Sequence, residues 1–373
     1  MSRQTDKTLT RGTSSVGDGR EAVVSGFVLR LARESIGDGC SRERFAEMLG
    51  VSLDTMAGWE TGRRPLTAVR AGQFVAVKST LMQSGAAPSL VLLLDSAMEA
   101  DQILDFALRG VDAHEIGAAH PLGSFVHRRE VVELAAWPLS GKPPAVASTL
   151  PRARRGPVAP GPVVDDGSRN VVFDHLRCVA DFSREGDSLL YRQALYLLSY
   201  DRRDDAAEWM RDQYRRVPRR RGGWSPEWPV LRTLATSLVR YGDPSALLDF
   251  TDAGLADEQG HTANLNYWAY WVGETRTIER DDSFMPTRLG PWRGDVILRH
   301  LAARLDAEHG VADLGIHTLR TLLAARPRLL EDDPVTTADL VGIVERVLDA
   351  GRMSPTARQA LAEVRYALRL YTR

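Results

Sequence analysis

Apolar residues recur at helical spacing along most of this chain, and strict apolar/polar alternation is almost absent. Val24, Phe27, Val28 and Leu31 fall at i, i+3, i+4 and i+7, one stripe of an amphipathic helix. Short helices are predicted around Phe45, Ala46 and Leu49, then Met56 and Trp59, then Phe74, Val77 and Leu81. Longer ones are expected from Ser89 to Arg109 and from Ser124 to Trp137. The helical texture resumes at residue 171 and continues through the C-terminal part. The fold class that follows is all-α.

Two stretches break the periodicity. Residues 1–20 are polar and aperiodic and read as a disordered arm. Residues 138–170 hold 7 of the 19 prolines together with Arg152, Arg154 and Arg155, a composition that favours an extended, semi-rigid spacer. The expected organisation is therefore a helical domain over 21–87, a helical extension over 88–137, a Pro/Arg-rich linker over 138–170, and a helical domain over 171–373. In the last segment Gly242, Gly310 and Gly351 each separate two apolar helical runs. Gly242 and Gly310 stand 68 residues apart, twice the ~34-residue tetratricopeptide period. Helical hairpins stacked into a tetratricopeptide-like array, with a concave face, are the expectation.

Charge narrows the function. The 48 basic and 49 acidic residues nearly cancel, so attraction to a polyanion must be local. Two cysteines, Cys40 and Cys178, suffice for neither a disulfide framework nor a four-thiolate zinc site. The N-terminal residues lack the apolar core of a signal peptide, and no apolar run approaches membrane-spanning length. A cytoplasmic, nucleoid-associated protein is expected. His175 and Cys178, at i and i+3, have no second ligand pair nearby, so no metal is expected. Phosphate-loop, zinc-protease and nucleophile-elbow motifs do not occur. Neither a cofactor nor catalytic residues are expected.

The informative segment is residues 41–64, SRERFAEMLGVSLDTMAGWETGRR. It reads as a helix, a turn at Gly50, and a second helix capped by Ser52, whose hydroxyl accepts from first-turn amides. Met56 and Trp59 suit a core face, with Leu53, Asp54, Thr55 and Gly58 turned outward. Gly62 ends the helix, and Arg63 and Arg64 follow it.

Through Phe45-Ala46, Gly50-Val51-Ser52, Met56 and Trp59-Glu60-x-Gly62-Arg63, this segment resembles the XRE family, the lambda- and 434-repressor-like helix-turn-helix proteins. The resemblance spans roughly Phe27 to Met82 and implies a five-helix domain that binds double-stranded DNA at an inverted-repeat operator, as a homodimer. It implies that Arg42 reaches backbone or base from the start of the first motif helix. Ser52, Leu53, Asp54, Thr55 and Gly58 form the DNA-facing part of the recognition helix, and Thr61, Arg63 and Arg64 meet phosphate. The base-facing set departs from the family pattern in lacking the Gln, Asn and Arg of bidentate base contacts. Its four arginines are matched by four acids within 41–64.

The layout as a whole is similar to that of the RRNPP group, peptide-responsive regulators that join such a domain to tetratricopeptide repeats. A transcriptional regulator governed by a peptide, small-molecule or protein effector is the function expected. In the stretch from Asn264 to Glu274, Asn264, Asn266, Tyr267 and Trp271 are the candidate effector-binding residues, the two amides being suited to a peptide backbone. The competing reading of the chain is a helical-repeat interaction scaffold with a vestigial or merely localising helix-turn-helix. The arginine run Arg215, Arg216, Arg219, Arg220 and Arg221 reads as a solvated loop or a second anionic-partner patch.

Overall fold

The computed structural model describes residues 22–37, 40–109, 120–144, 147, 160–218, 222–305, 312–351 and 353–371. Among these residues every regular element is helical, so the chain is all-α. No described helix is long and apolar enough to cross a membrane. Residues 1–20, the arginines at 152, 154, 155 and 219–221, His309 and Gly310 lie outside the described residues.

The N-terminal part comprises α1 (Val23–Glu34), α2 (Arg42–Leu49), α3 (Leu53–Thr61), α4 (Ala71–Gln83), α5 (Pro88–Leu108) and α6 (Arg129–Ser140). Local chemistry sets the α2–α3 boundaries. Ser41 and Ser52 cap the two helices, their hydroxyls accepting from the amides of Arg44 and Thr55 at 3.1 Å each. Gly50 closes α2 at φ 65°, a left-handed conformation that a Cβ would strain. Phe45, Ala46, Met56 and Trp59 then turn inward, all buried.

Helix α1 is the wedge of this half, packed on α3, α5 and α6. Gly26 allows its closest approach: a Cβ there would stand 2.3 Å from the carbonyl oxygen of Trp59. Buried Asp101 of α5 receives the amides of Val24 and Ser25 at 2.9 and 2.8 Å, filling the open N-terminus of α1. Glu60, whose side chain is fully buried, accepts from Arg33 at 2.5 Å and from Arg42 at 2.7 Å.

The C-terminal part runs through α7 (Asp166–Ser183), α8 (Ser188–Leu198), α9 (Ala206–Arg216), α10 (Trp228–Arg240), α11 (Ser245–Gly254), α12 (Glu258–Trp271), α13 (Asp295–Leu305), α14 (Ala312–Ala325), α15 (Leu329–Asp332), α16 (Pro334–Ala350) and α17 (Pro355–Tyr371). Neighbouring helices pack in sequence, α7 on α8, α8 on α10 and α10 on α11. Helix α14 collects α11, α12, α13 and α17 around it.

The stretch expected as spacer is shorter at both ends. Helix α6 continues through Pro138 to Ser140; Pro138 has no N–H to give the Leu134 carbonyl, and only two helical residues follow it. Helix α7 begins at Asp166 behind the capping carboxylate of Asp165. One apolar core runs from Val24 on α1 through Trp137 on α6 and Leu195 on α8 to Phe250 on α11. A second is built mainly from α13, α14, α16 and α17, with Leu265 and Ala269 of α12. The extension to α6 also starts later than its sequence suggests, because residues 121–123 form a single 3-10 turn and α6 opens only at Arg129.

Candidate nucleic-acid interface and an arginine-lined cavity

At α3 the outward set divides. Leu53, Asp54, Thr61, Arg63 and Arg64 are exposed, Ser52 is exposed at the cap, and Thr55 is half-buried. Gly58 is not outward as expected but buried: the aliphatic stem of Arg64 lies over it, and a Cβ would come within 2.9 Å of that stem. Arg64 donates to Asp54 at 2.8 Å and to Thr55 Oγ1 at 2.8 Å, while Arg63 also pairs with Asp54. Both arginines after the helix therefore fold back onto its first turn, with one carboxylate as their common acceptor. Thr61 returns its hydroxyl to the carbonyl of Ala57 at 2.8 Å.

Arg42 also differs from expectation. Its guanidinium is held inward against Glu60, because that fully buried carboxylate needs a second cation beside Arg33. It is a clamp between α2 and α3, whereas Arg44, Arg63 and Arg64 of the same segment are exposed.

The effector candidates separate as well. Asn264 is fully buried and donates to Thr318 at 2.9 Å, tying α12 to α14. Asn266 is buried too. Its amide nitrogen donates to the carbonyl of Met285 at 3.1 Å, and its oxygen accepts from Gly290 N at 3.1 Å and Trp292 Nε1 at 3.0 Å. Asn266 is consumed in holding the loop before α13; the Asn264 oxygen has no partner, but that residue is fully buried, and neither amide lines the cavity described next. Tyr267 and Trp271, by contrast, line a cavity.

That cavity has a volume of about 840 Å³ and is walled by α6, α8, α10, α12, α13 and α14. Six cations reach it: Arg129, Lys142, Arg202, Arg232, Arg240 and Arg304. The only acid among its described lining residues is Glu133, which pairs with Arg129 at 2.6 Å and stands 4.0 Å from Arg304. His300 accepts at Nδ1 from Arg129 at 2.9 Å. Burial, with the Arg129 and Arg304 charges beside it, holds this imidazole down to about 3, so it is neutral.

The other wall is aromatic. The guanidinium of Arg232 lies 4.0 Å from the ring centre of Tyr267 and 5.3 Å from that of Trp268. Tyr267 stacks on Trp271 at 5.9 Å and 14°. Trp271 meets the edge of Tyr196 at 5.5 Å, and Arg240 lies 4.8 Å from Tyr196 and 4.5 Å from Tyr200. The rings thus form a ladder with an arginine at each end, an arrangement stabilised by cation–π attraction. Burial lowers the Arg232 guanidinium from its ordinary value. In the sequence these arginines carry one signal, a cation inside an apolar helical stretch, as in Val230-Leu231-Arg232-Thr233-Leu234.

Elsewhere, His175 meets His120 ring nitrogen to ring nitrogen at 3.2 Å, and burial lowers both, His120 to about 3. Arg215 of the arginine run pairs with Asp212 at 2.7 Å. In comparison with known proteins, no family model, no curated protein and no solved structure matches the chain.

Proposed function

We propose that this protein is a sequence-specific DNA-binding transcriptional regulator of XRE type, acting as a homodimer on an inverted-repeat operator. Its α2–α3 unit is the helix-turn-helix, and its C-terminal array of tetratricopeptide-like hairpins carries an effector. The observation that carries this reading is α3 itself. It is a capped helix whose Met56–Trp59 face is buried while Leu53, Asp54 and Thr55 stand at its open N-terminal end. A recognition helix enters the major groove through its N-terminal residues. Arg63 and Arg64 are exposed beside that end, at the reach of phosphate.

Footprinting on the promoter nearest its own gene, with affinity measured against salt, tests the proposal. A regulator protects two half-sites about one helical turn apart (~34–36 Å) and binds them above a salt-sensitive background. Uniform weak binding to every duplex defeats it. One observation favours the scaffold reading: Asp54 neutralises both flanking arginines in the free chain. Under that reading no duplex is bound above background at any salt concentration.

A further inference from the structure

Four of the six cavity cations, Lys142, Arg202, Arg232 and Arg240, have no carboxylate partner among the described residues. Arg232 is the sharpest case. The residue is 6% exposed, its guanidinium sits among rings, and its Nε makes no hydrogen bond. The indole N–H of Trp268, on the same wall, is likewise buried without an acceptor. A buried unpaired cation and an unsatisfied donor are costly in a folded protein. Their persistence on a cavity wall calls for a ligand that supplies negative charge and hydrogen-bond acceptors.

The ligand's chemistry follows from what is left once the amides are accounted for. With Asn264 and Asn266 engaged elsewhere, the wall offers cations and ring surface and few groups that recognise a peptide backbone. Guanidinium groups bind carboxylate and phosphate through paired N–H donors. Four cations without a carboxylate partner suit more than one negative charge, which a phosphate group carries and a single carboxylate does not. Half-buried Trp268 and Trp271 leave indole surface for a planar ring. The volume, about 840 Å³, lies within the ~300–1,000 Å³ of small-molecule sites.

We infer that this cavity binds a phosphorylated heteroaromatic of nucleotide size, with its phosphate on Arg232 and its ring against Trp268 and Trp271. Arg240 lies eight residues further along α10, ~12 Å away at helical rise. Arg240 and Arg202 form a second pole for a further anionic group. The inference gives the proposed regulator its class of effector and deepens that reading. Helix α6 joins the two regions, lining the cavity with Arg129 and Glu133 while its Trp137 packs on Phe27 of α1.

The test is calorimetric titration of the full chain, without DNA, with AMP, ATP, GTP and FMN. Because no duplex is present, its outcome is independent of whether the protein binds DNA. At least one of the four binds, and its dephosphorylated counterpart and inorganic phosphate each bind at least ~10-fold more weakly. Arg232→Gln weakens that binding by at least ~10-fold, yet leaves the unliganded melting temperature unchanged or higher, since a buried unpaired charge has been removed. If Arg232→Gln lowers the melting temperature, Arg232→Lys, which keeps the charge but loses the paired N–H donors, decides the matter by the same loss of affinity. No binding by any of the four overturns the inference. So do unchanged affinity in the variant that is read, and a dephosphorylated compound that binds as well as its phosphate.

Discussion

Phe27 of α1 and Trp137 of α6 meet edge to face, their ring centres 5.2 Å apart and their planes at 81°. The other side of the indole is closed by Gly161, where a Cβ would stand 2.8 Å from Trp137 Nε1. The residue that ends the sequence-defined extension is therefore a shared core position of the N-terminal helices and of the chain returning before α7. Replacing it by alanine opens a large cavity, for which ~3–5 kcal/mol is the usual cost. Trp137→Ala is expected to lower the urea midpoint seen by fluorescence and by far-ultraviolet dichroism alike. A variant in which only one spectroscopic signal moves would show that the two parts unfold independently.

Under the proposed DNA-binding reading, Asp54 competes with phosphate for Arg63 and Arg64. The pairs are exposed, and exposed ion pairs contribute only ~0–1 kcal/mol each, so phosphate displaces them readily. Asp54→Asn frees both cations and removes a charge that repels the backbone. Affinity for duplex should rise several-fold, with a steeper dependence on salt, measured by fluorescence anisotropy at several ionic strengths. Unchanged affinity and slope would mean that these arginines do not face phosphate.

Glu60 is predicted to matter far more for folding than Arg42. Removing the carboxylate leaves the buried Arg33 guanidinium with only Glu34, at 3.6 Å, as a counter-charge, a loss of up to ~3–5 kcal/mol for such pairs. Arg42, 37% exposed, can return to water when freed, so Arg42→Ala should cost far less. Chemical denaturation of Glu60→Ala and Arg42→Ala separates the two. Equal destabilisation would contradict the unequal burial, and a lost footprint in a stable Arg42→Ala protein would return that residue to the DNA interface.

Acid should weaken the fold through its buried imidazoles. Burial holds His120 and His300 down to about 3 and His317 to about 4. A histidine depressed in the fold takes up its proton first in the unfolded chain. Its stabilising contribution is complete above the unfolded value of ~6.5 and is lost as pH falls toward the folded one. Asp101 works in the opposite sense: burial raises it to about 6, so the fold takes its proton first, and its contribution is lost as pH rises through about 6. The urea midpoint is expected to fall between about pH 7 and about pH 5, and to fall more steeply in Asp101→Asn, which lacks the opposing group. A midpoint independent of pH over that range would show that these histidines are not held neutral in the fold.

The sequence by itself determined the helical class, the α2–turn–α3 unit and the core role of Met56 and Trp59. These rest on signals within a few residues of one another: serine caps, a left-handed glycine and helical spacing. Exposure of Leu53 and Asp54 is legible for the same reason. Only the tertiary structure decided what the inward faces meet. Asn264 and Asn266 look like free amides in the sequence, and their partners Thr318, Met285 and Trp292 lie 19 to 54 residues away. The inward position of Arg42 is hidden in the sequence because its partner Glu60 is set by how α2 crosses α3, a relation helical periodicity does not encode. The cavity is the extreme case, since Arg129 meets His300 across 171 residues and six helices supply its wall. Periodicity marks a face as inward, but whether that face meets core or cavity depends on how distant helices pack.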